Sequence, residues 1–208
     1  MKKLLSAVAL VSFLMMGLVA NSQSRREMKA IQKEAKVLAK ELKKEGFKPL
    51  ELGVLESHIE RFLTKKYSGE TTKIEIVGNA EECETMNTAQ TVAYTNAANI
   101  YAADRSAYIK GRVTSEVANI PGQKVDNMLA AFEKLVGQKL SGELQRQLTV
   151  VKENRKGVTI RTYYLIDFEV ARNLQKEALT QALEEQELYQ EYGSKISSWI
   201  GEGFENLK

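Results

Sequence analysis

Few of the residues that carry chemistry are present: 208 positions hold one histidine, one cysteine, one tryptophan and two prolines. A lone cysteine forms no internal disulfide, and two prolines make no proline-rich stalk. Disulfide-scaffold, collagen-like and disordered classes are therefore excluded. A single histidine leaves most catalytic triads and metal centres without their parts. Charge of one sign is scarce as well, since 30 Lys+Arg meet 27 Asp+Glu for a formal net charge of +3. No composition-level footprint for nucleic acid follows from that, and no nucleic-acid partner is expected. What is present, 43% hydrophobic and 27% charged residues, is an ordinary globular composition with a length suited to one core.

The N-terminus reads as a targeting segment. Lys2-Lys3 precede the apolar run Leu4 to Ala20, and Ala20-Asn21-Ser22 offers small residues at the two positions that signal peptidase requires. This predicts a secretory signal peptide over residues 1–22, cleaved to leave Gln23 first. A lipoprotein signal needs a cysteine after the cut, but the one cysteine is Cys83, so no lipid anchor is expected. Cleavage removes Lys2 and Lys3 and no acid, leaving 28 basic against 27 acidic side chains, a net of +1. The expected consequence is export; with the resemblance described below, the expected location is the periplasm or the cell surface of a bacterium.

Three segments follow the leader. Residues 23–66 form an N-terminal helical pair. The first helix has the S-x-x-E spacing of a capping box at Ser24 to Glu27 and an apolar stripe of Met28, Ile31, Ala35, Leu38 and Leu42, with Gly46 and Pro49 ending it. Lys29, Lys33, Lys36, Lys40, Lys43 and Lys44, interleaved with Glu34 and Glu41, read as a solvated face, the alternative being a basic surface for membranes or nucleic acid. The second helix, about Val54 to Lys66, has Leu55, Ile59, Phe62 and Leu63 as its stripe.

Residues 67–192 read as an α+β domain. A short strand, Thr72 to Val77, is closed by Gly78-Asn79. A helix of about 35 residues from Thr85 to Asn119 carries alanines at four-residue steps, which let another backbone approach closely. Another helix covers Val125 to Leu140. A hairpin follows: a strand over Gln147 to Lys152, a turn, and the alternation Val158, Ile160, Thr162, Tyr164, Ile166, Phe168, Val170 against the largely polar Thr159, Arg161, Tyr163, Asp167 and Glu169. A last helix runs from Ala171 to about Tyr192, stopped by Gly193. Residues 193–208 form a C-terminal amphipathic tail.

No segment carries a catalytic, phosphate-binding or metal-binding motif, so catalytic, cofactor and metal residues are expected to be none. Cys83 sits among Glu81, Glu82 and Glu84, which disfavour its thiolate. His58 has no second ligand near it in sequence. Glu184-Glu185 and the pair Asp167 with Glu169 read as surface charge, and Tyr163-Tyr164 as ordinary strand tyrosines. One candidate interaction surface stands out. Ile196, Trp199, Ile200 and Phe204, with Leu207, share one side of a helix and either fold back onto the domain or dock on a partner or at a membrane interface.

From residue 72 to 185 the order of strand, Ala-rich helix, helix, hairpin and helix resembles the LPP-twenty-like family of bacterial envelope lipoproteins and the related N-terminal domain of a flagellar H-ring assembly protein. The resemblance rests on Ala93-Tyr94-Thr95-Asn96-Ala97-Ala98-Asn99-Ile100, on Ala107 to Val113, on Leu148 to Val151 and on Thr162 to Arg172. It implies helices on a small antiparallel sheet, an envelope location, and an interaction or assembly role without catalysis. The chain departs from that pattern in lacking the lipidated cysteine and in carrying the helical pair Ser24 to Lys66. The expected partner is an envelope protein or a second copy, and membrane contact is not predicted. An envelope enzyme or small-ligand binder whose site lacks a local motif is the alternative.

Overall fold

The computed structural model describes residues 25–67, 72–117 and 120–205. The predicted leader, residues 1–22, lies outside that range, as does the capping Ser24. Helix α1 covers residues 25–44. It is followed by β1 (Lys48–Pro49), α2 (Leu55–Tyr67), β2 (Lys73–Cys83), α3 (Met86–Glu116), α4 (Gly122–Leu140), β3 (Gln145–Asn154), β4 (Gly157–Asp167), α5 (Phe168–Glu185) and α6 (Tyr189–Glu205). The strands form one antiparallel sheet in the order β1-β3-β4-β2 with helices packed on it, an α+β fold.

The alanine spacing of α3 and the sheet dictate one another. Ala89 and Ala93 pack with Ala80, Val151 and Ile160, and Ala97, Ala98, Tyr101 and Ala102 continue into the main core with Ile76, Tyr164 and Ile166. Gly78 lies in the middle of β2 and opens no turn there, so the strand runs on to Cys83 instead of closing at Gly78-Asn79. A Cβ at Gly78 would overlap the carbonyl of Ala93, so the missing side chain lets the α3 backbone lie directly on the strand.

The face of the hairpin that reads as polar in the sequence is buried too. Tyr163 and Leu165 are 5% and 1% exposed. With Leu148 and Val150 they form a second core under Ala35, Ala39 and Leu42 of α1, Phe47, and Leu55, Ile59, Phe62 and Leu63 of α2. The helical pair is therefore the lid of the sheet's second face, and Phe62 lies 5.4 Å from Tyr163, ring to ring. At the edge of this layer Arg161 bonds Glu45 at 3.0 Å with its guanidinium over the Phe47 ring. Lys66 bonds Glu75 at 2.6 Å. Burial pulls the Lys66 pKa down, but the Glu75 carboxylate outweighs it and holds the ammonium above its ordinary value. Of the predicted α1 stripe, Met28 is 56% exposed and lies outside the second core, whose packing begins at Ile31.

Two helix ends use the same turn with different residues. At the end of α1, Phe47 N–H bonds Leu42 C=O and Gly46 N–H bonds Lys43 C=O, with Gly46 at φ 88°. At the end of α5, Leu188 N–H bonds Leu183 C=O and Glu187 N–H bonds Glu184 C=O, with Glu187 at φ 58°. Both are Schellman turns, and buried Leu188 and Leu183 supply the usual apolar contact of the second. This turn divides the helix expected over residues 171–192 into α5 and α6. Gly193, expected as a terminator, lies inside α6, where a Cβ would crowd the Tyr189 ring. Phe168, Glu169 and Val170 likewise belong to α5 rather than to the strand, because the chain turns at Asp167.

Candidate functional site

Helices α3, α4 and α5 make the outer layer on the far side of the sheet from α1. Where side chains between such helices are small, the surface sinks. Between α3 and α4 an open groove encloses about 690 Å³. Buried Ala98 lies at its base and exposed Ala130 on its α4 side, and at Gly137 a Cβ would make only an ordinary contact, 3.7 Å from Asn99 Oδ1. One end is walled by Tyr94, whose ring meets Tyr164 edge-on at 5.7 Å and whose hydroxyl accepts the Gly142 N–H at 2.7 Å. Glu133, Lys134 and Gln138 form the opposite rim.

A second groove of about 460 Å³ runs along the other flank of α4, bounded by Leu135, Gln181 and Glu185. Ala130, Lys134 and Gln138 line both. The exposed ridge of α4 thus stands between two depressions, with a cation and an amide able to turn to either side. Neither groove was legible in the sequence. The only trace was Gly137, a glycine inside an otherwise regular helix pattern.

Beneath this layer a polar contact joins α3 to α5. Gln175 Nε2 donates to Tyr101 Oη at 2.6 Å, with both residues buried. Burial pushes the Tyr101 phenol up to about 12, against the opposing effects of Arg105 and the Gln175 bond. It fixes the spacing of the helices and is closed to solvent.

The sequence-derived candidates are scattered over the molecule. Trp199 and Ile200 are 1% and 2% exposed and belong to the main core, so these two residues cover the domain itself rather than offering a docking surface. The Ile196 and Phe204 side chains, and Leu207, lie outside the described residues. Three contacts hold α6 to the end of α3: Trp199 Nε1 donates to Glu116 Oε2, Lys195 Nζ donates to the Glu116 carbonyl, and Arg112 lies over the indole. His58 is a nearly buried tether for the loop before α2, with Nε2 3.1 Å from the Leu52 carbonyl and Nδ1 3.8 Å from Glu51. Cys83 is half-buried at a bulge of β2, its sulfur 3.7 Å from the Glu81 carbonyl. Tyr163 and Tyr164 are buried on opposite faces of the sheet and offer no platform to a ligand. Among the described residues no three His, Cys, Asp or Glu side chains are grouped to hold a metal ion, and no helix is long and apolar enough to cross a membrane.

Compared with known protein families, characterised proteins and solved structures, the chain matches none.

Proposed function

We propose that this is an exported, non-catalytic protein of the bacterial cell envelope that works by binding another protein, with the ridge of α4 and its two grooves as the contact surface. The observation that carries the reading is the pair of open depressions sharing Ala130, Lys134 and Gln138. The small residues Ala98, Ala130 and Gly137 leave room for a partner's side chains to enter, and the polar rims of Asn99, Glu133 and Gln181 supply hydrogen bonds at the edge, as interfaces do. The leader-like residues 1–22 and the resemblance to envelope lipoproteins support the location.

A photo-crosslinking residue at Lys134 in living cells tests this. The expected result is one defined envelope protein, or a second copy of the chain, captured from Lys134 but not from Lys156 at the hairpin tip. Filling the grooves with Ala130→Trp should abolish capture without lowering the melting temperature. Equal capture from both positions, or a chain found only in the cytoplasm with Met1 intact, overturns the proposal. The α3–α4 groove also lies in the volume range of small-molecule sites. A low-molecular-weight compound bound to the protein from cells and lost in Ala130→Trp favours the small-ligand reading instead.

A further inference from the structure

The charges of α1 alternate along the sequence but segregate around the helix. At about 100° per residue, Arg25, Arg26, Lys29, Lys33, Lys36, Lys40, Lys43 and Lys44 fall within an arc of about 100°, and all eight are exposed. Glu27, Glu34 and Glu41 lie on a separate side. Glu34 is occupied by the Tyr67 hydroxyl at 3.0 Å. Among the described residues none of the eight cations pairs with a carboxylate. They form a straight stripe about 28 Å long, on a helix whose opposite side is fixed in the core by Ala35, Ala39 and Leu42.

The rest of the chain has the opposite balance. Residues 25–44 carry eight basic and three acidic side chains, net +5, whereas residues 45–208 carry 20 and 24, net −4. Much of that negative charge is in residues 167–205, with nine acidic against three basic. This segment is α5 and α6, on the far side of the sheet. The near-zero total therefore conceals a dipole with α1 at its positive pole.

We propose that α1 is a docking surface for an anionic lipid membrane, which it meets along its length while the acidic layer points away. A flat anionic surface touches only the pole that attracts it. Two exposed apolar side chains, Met28 and Val37 at 56% and 51% exposure, flank the cationic arc where they enter an interface. Lysine stems lie along such a boundary with their ammonium groups among the phosphates. In the sequence only Asn21 to Ser24 separate Arg25 from the apolar run Leu4 to Ala20, which places the stripe next to the segment expected to be a leader. The stripe holds no aromatic side chain on which a base could stack. The proposal is independent of the α4 grooves, which face the other way.

The test is flotation of the chain from Gln23 to Lys208 with vesicles. Binding is expected to vesicles of phosphatidylcholine mixed with phosphatidylglycerol and not to phosphatidylcholine alone, and it should weaken steadily as salt is added. Replacing four cations, Lys29→Gln, Lys33→Gln, Lys36→Gln and Lys40→Gln, should lower partitioning about tenfold or more. Glutamine keeps helix propensity close to that of lysine, so melting should be unchanged. The matched variant Lys110→Gln, Lys124→Gln, Lys156→Gln, Lys176→Gln, which also removes four cations, should bind like the parent. Absence of preference for the anionic vesicles in the unmodified chain overturns the proposal, as does equal loss in both variants. Tighter binding to duplex DNA than to the vesicles at the same salt also overturns it and makes the stripe a nucleic-acid surface.

Discussion

The indole N–H of Trp199 donates to Oε2 of Glu116 at 3.1 Å, joining α6 to the end of α3. The indole is buried, while the Glu116 side chain keeps 35% of its surface exposed. The bond therefore orients α6, and burial of the ring holds it. Trp199→Ala should cost about 3–5 kcal/mol by leaving a large cavity, whereas Glu116→Ala should cost only about 1 kcal/mol. Urea unfolding of the two variants checks the ratio. Equal costs would mean that the polar contact, and not the packing, secures the helix.

Gly78→Ala should destabilise the protein by about 1–3 kcal/mol, as overpacking does. The new methyl would meet the backbone of α3 at Ala93, which cannot swing aside as a side chain does. Thermal unfolding is the measurement, with Gly111→Ala as the control because nothing lies within 4 Å of a Cβ there. That control should leave stability equal or slightly raised, since alanine is the better helix residue.

Glu187→Gly should stabilise the protein by up to about 1 kcal/mol. Glu187 holds the left-handed turn at φ 58° with a side chain that glycine would not have to accommodate. Its ion pair with Lys124 is 3.8 Å long and exposed, so little is lost. A lowered melting point would show that this pair matters more than the backbone.

Alkali should unfold the protein earlier than its ordinary tyrosines would. Tyr101 titrates near 12 in the folded state and near 10 when exposed. Between those values the folded chain holds a proton that the unfolded chain has released. Stability from this group is full below about pH 10 and falls as pH rises toward 12, by about 2–3 kcal/mol in all. Tyr163 and Tyr164 are also raised, chiefly by burial, and act in the same direction. Tyr101→Phe should flatten the slope of stability above pH 10 while costing about 1–3 kcal/mol at neutral pH, because the buried amide of Gln175 loses its acceptor. Denaturant midpoints at a series of pH values measure both effects.

The two Schellman turns show what sequence can and cannot announce. Gly46 carries the left-handed backbone without a side chain, so its residue type alone marks a stop. Glu187 adopts the same conformation because Leu188 must reach the core beside Leu183, and nothing local records that demand. Gly78 misleads in the other direction, since a glycine that looks like a turn serves a contact with a helix that begins at Met86. The polar reading of the hairpin's second face failed because Thr159 and Asp167 lie toward the strand's ends and Arg161 reaches Glu45 over the Phe47 ring, while Tyr163 and Leu165 are covered by α1 and α2. The face toward α3, by contrast, follows the alternation of Ile160, Tyr164 and Ile166 directly. The α4 grooves escaped notice because they are made of absent volume. Ala130 and Gly137 are ordinary residues on one helix, and the depression exists only once α3 and α5 stand beside it.

Helix α3 is longer than the sheet it lies on. Its first half rests on β2 and β4, and its second half, with Ile109 and Val113 at 2% and 3% exposure, runs on to where α4 and α6 close over it. A chain made from its N-terminus onward completes both faces of the sheet once α5 has begun, but the far half of α3 waits for α6 as well. Until Trp199 is delivered, a strip of apolar helix around Ile109 and Val113 lacks part of its cover, in the interval when proteases, chaperones and neighbouring chains have access to it.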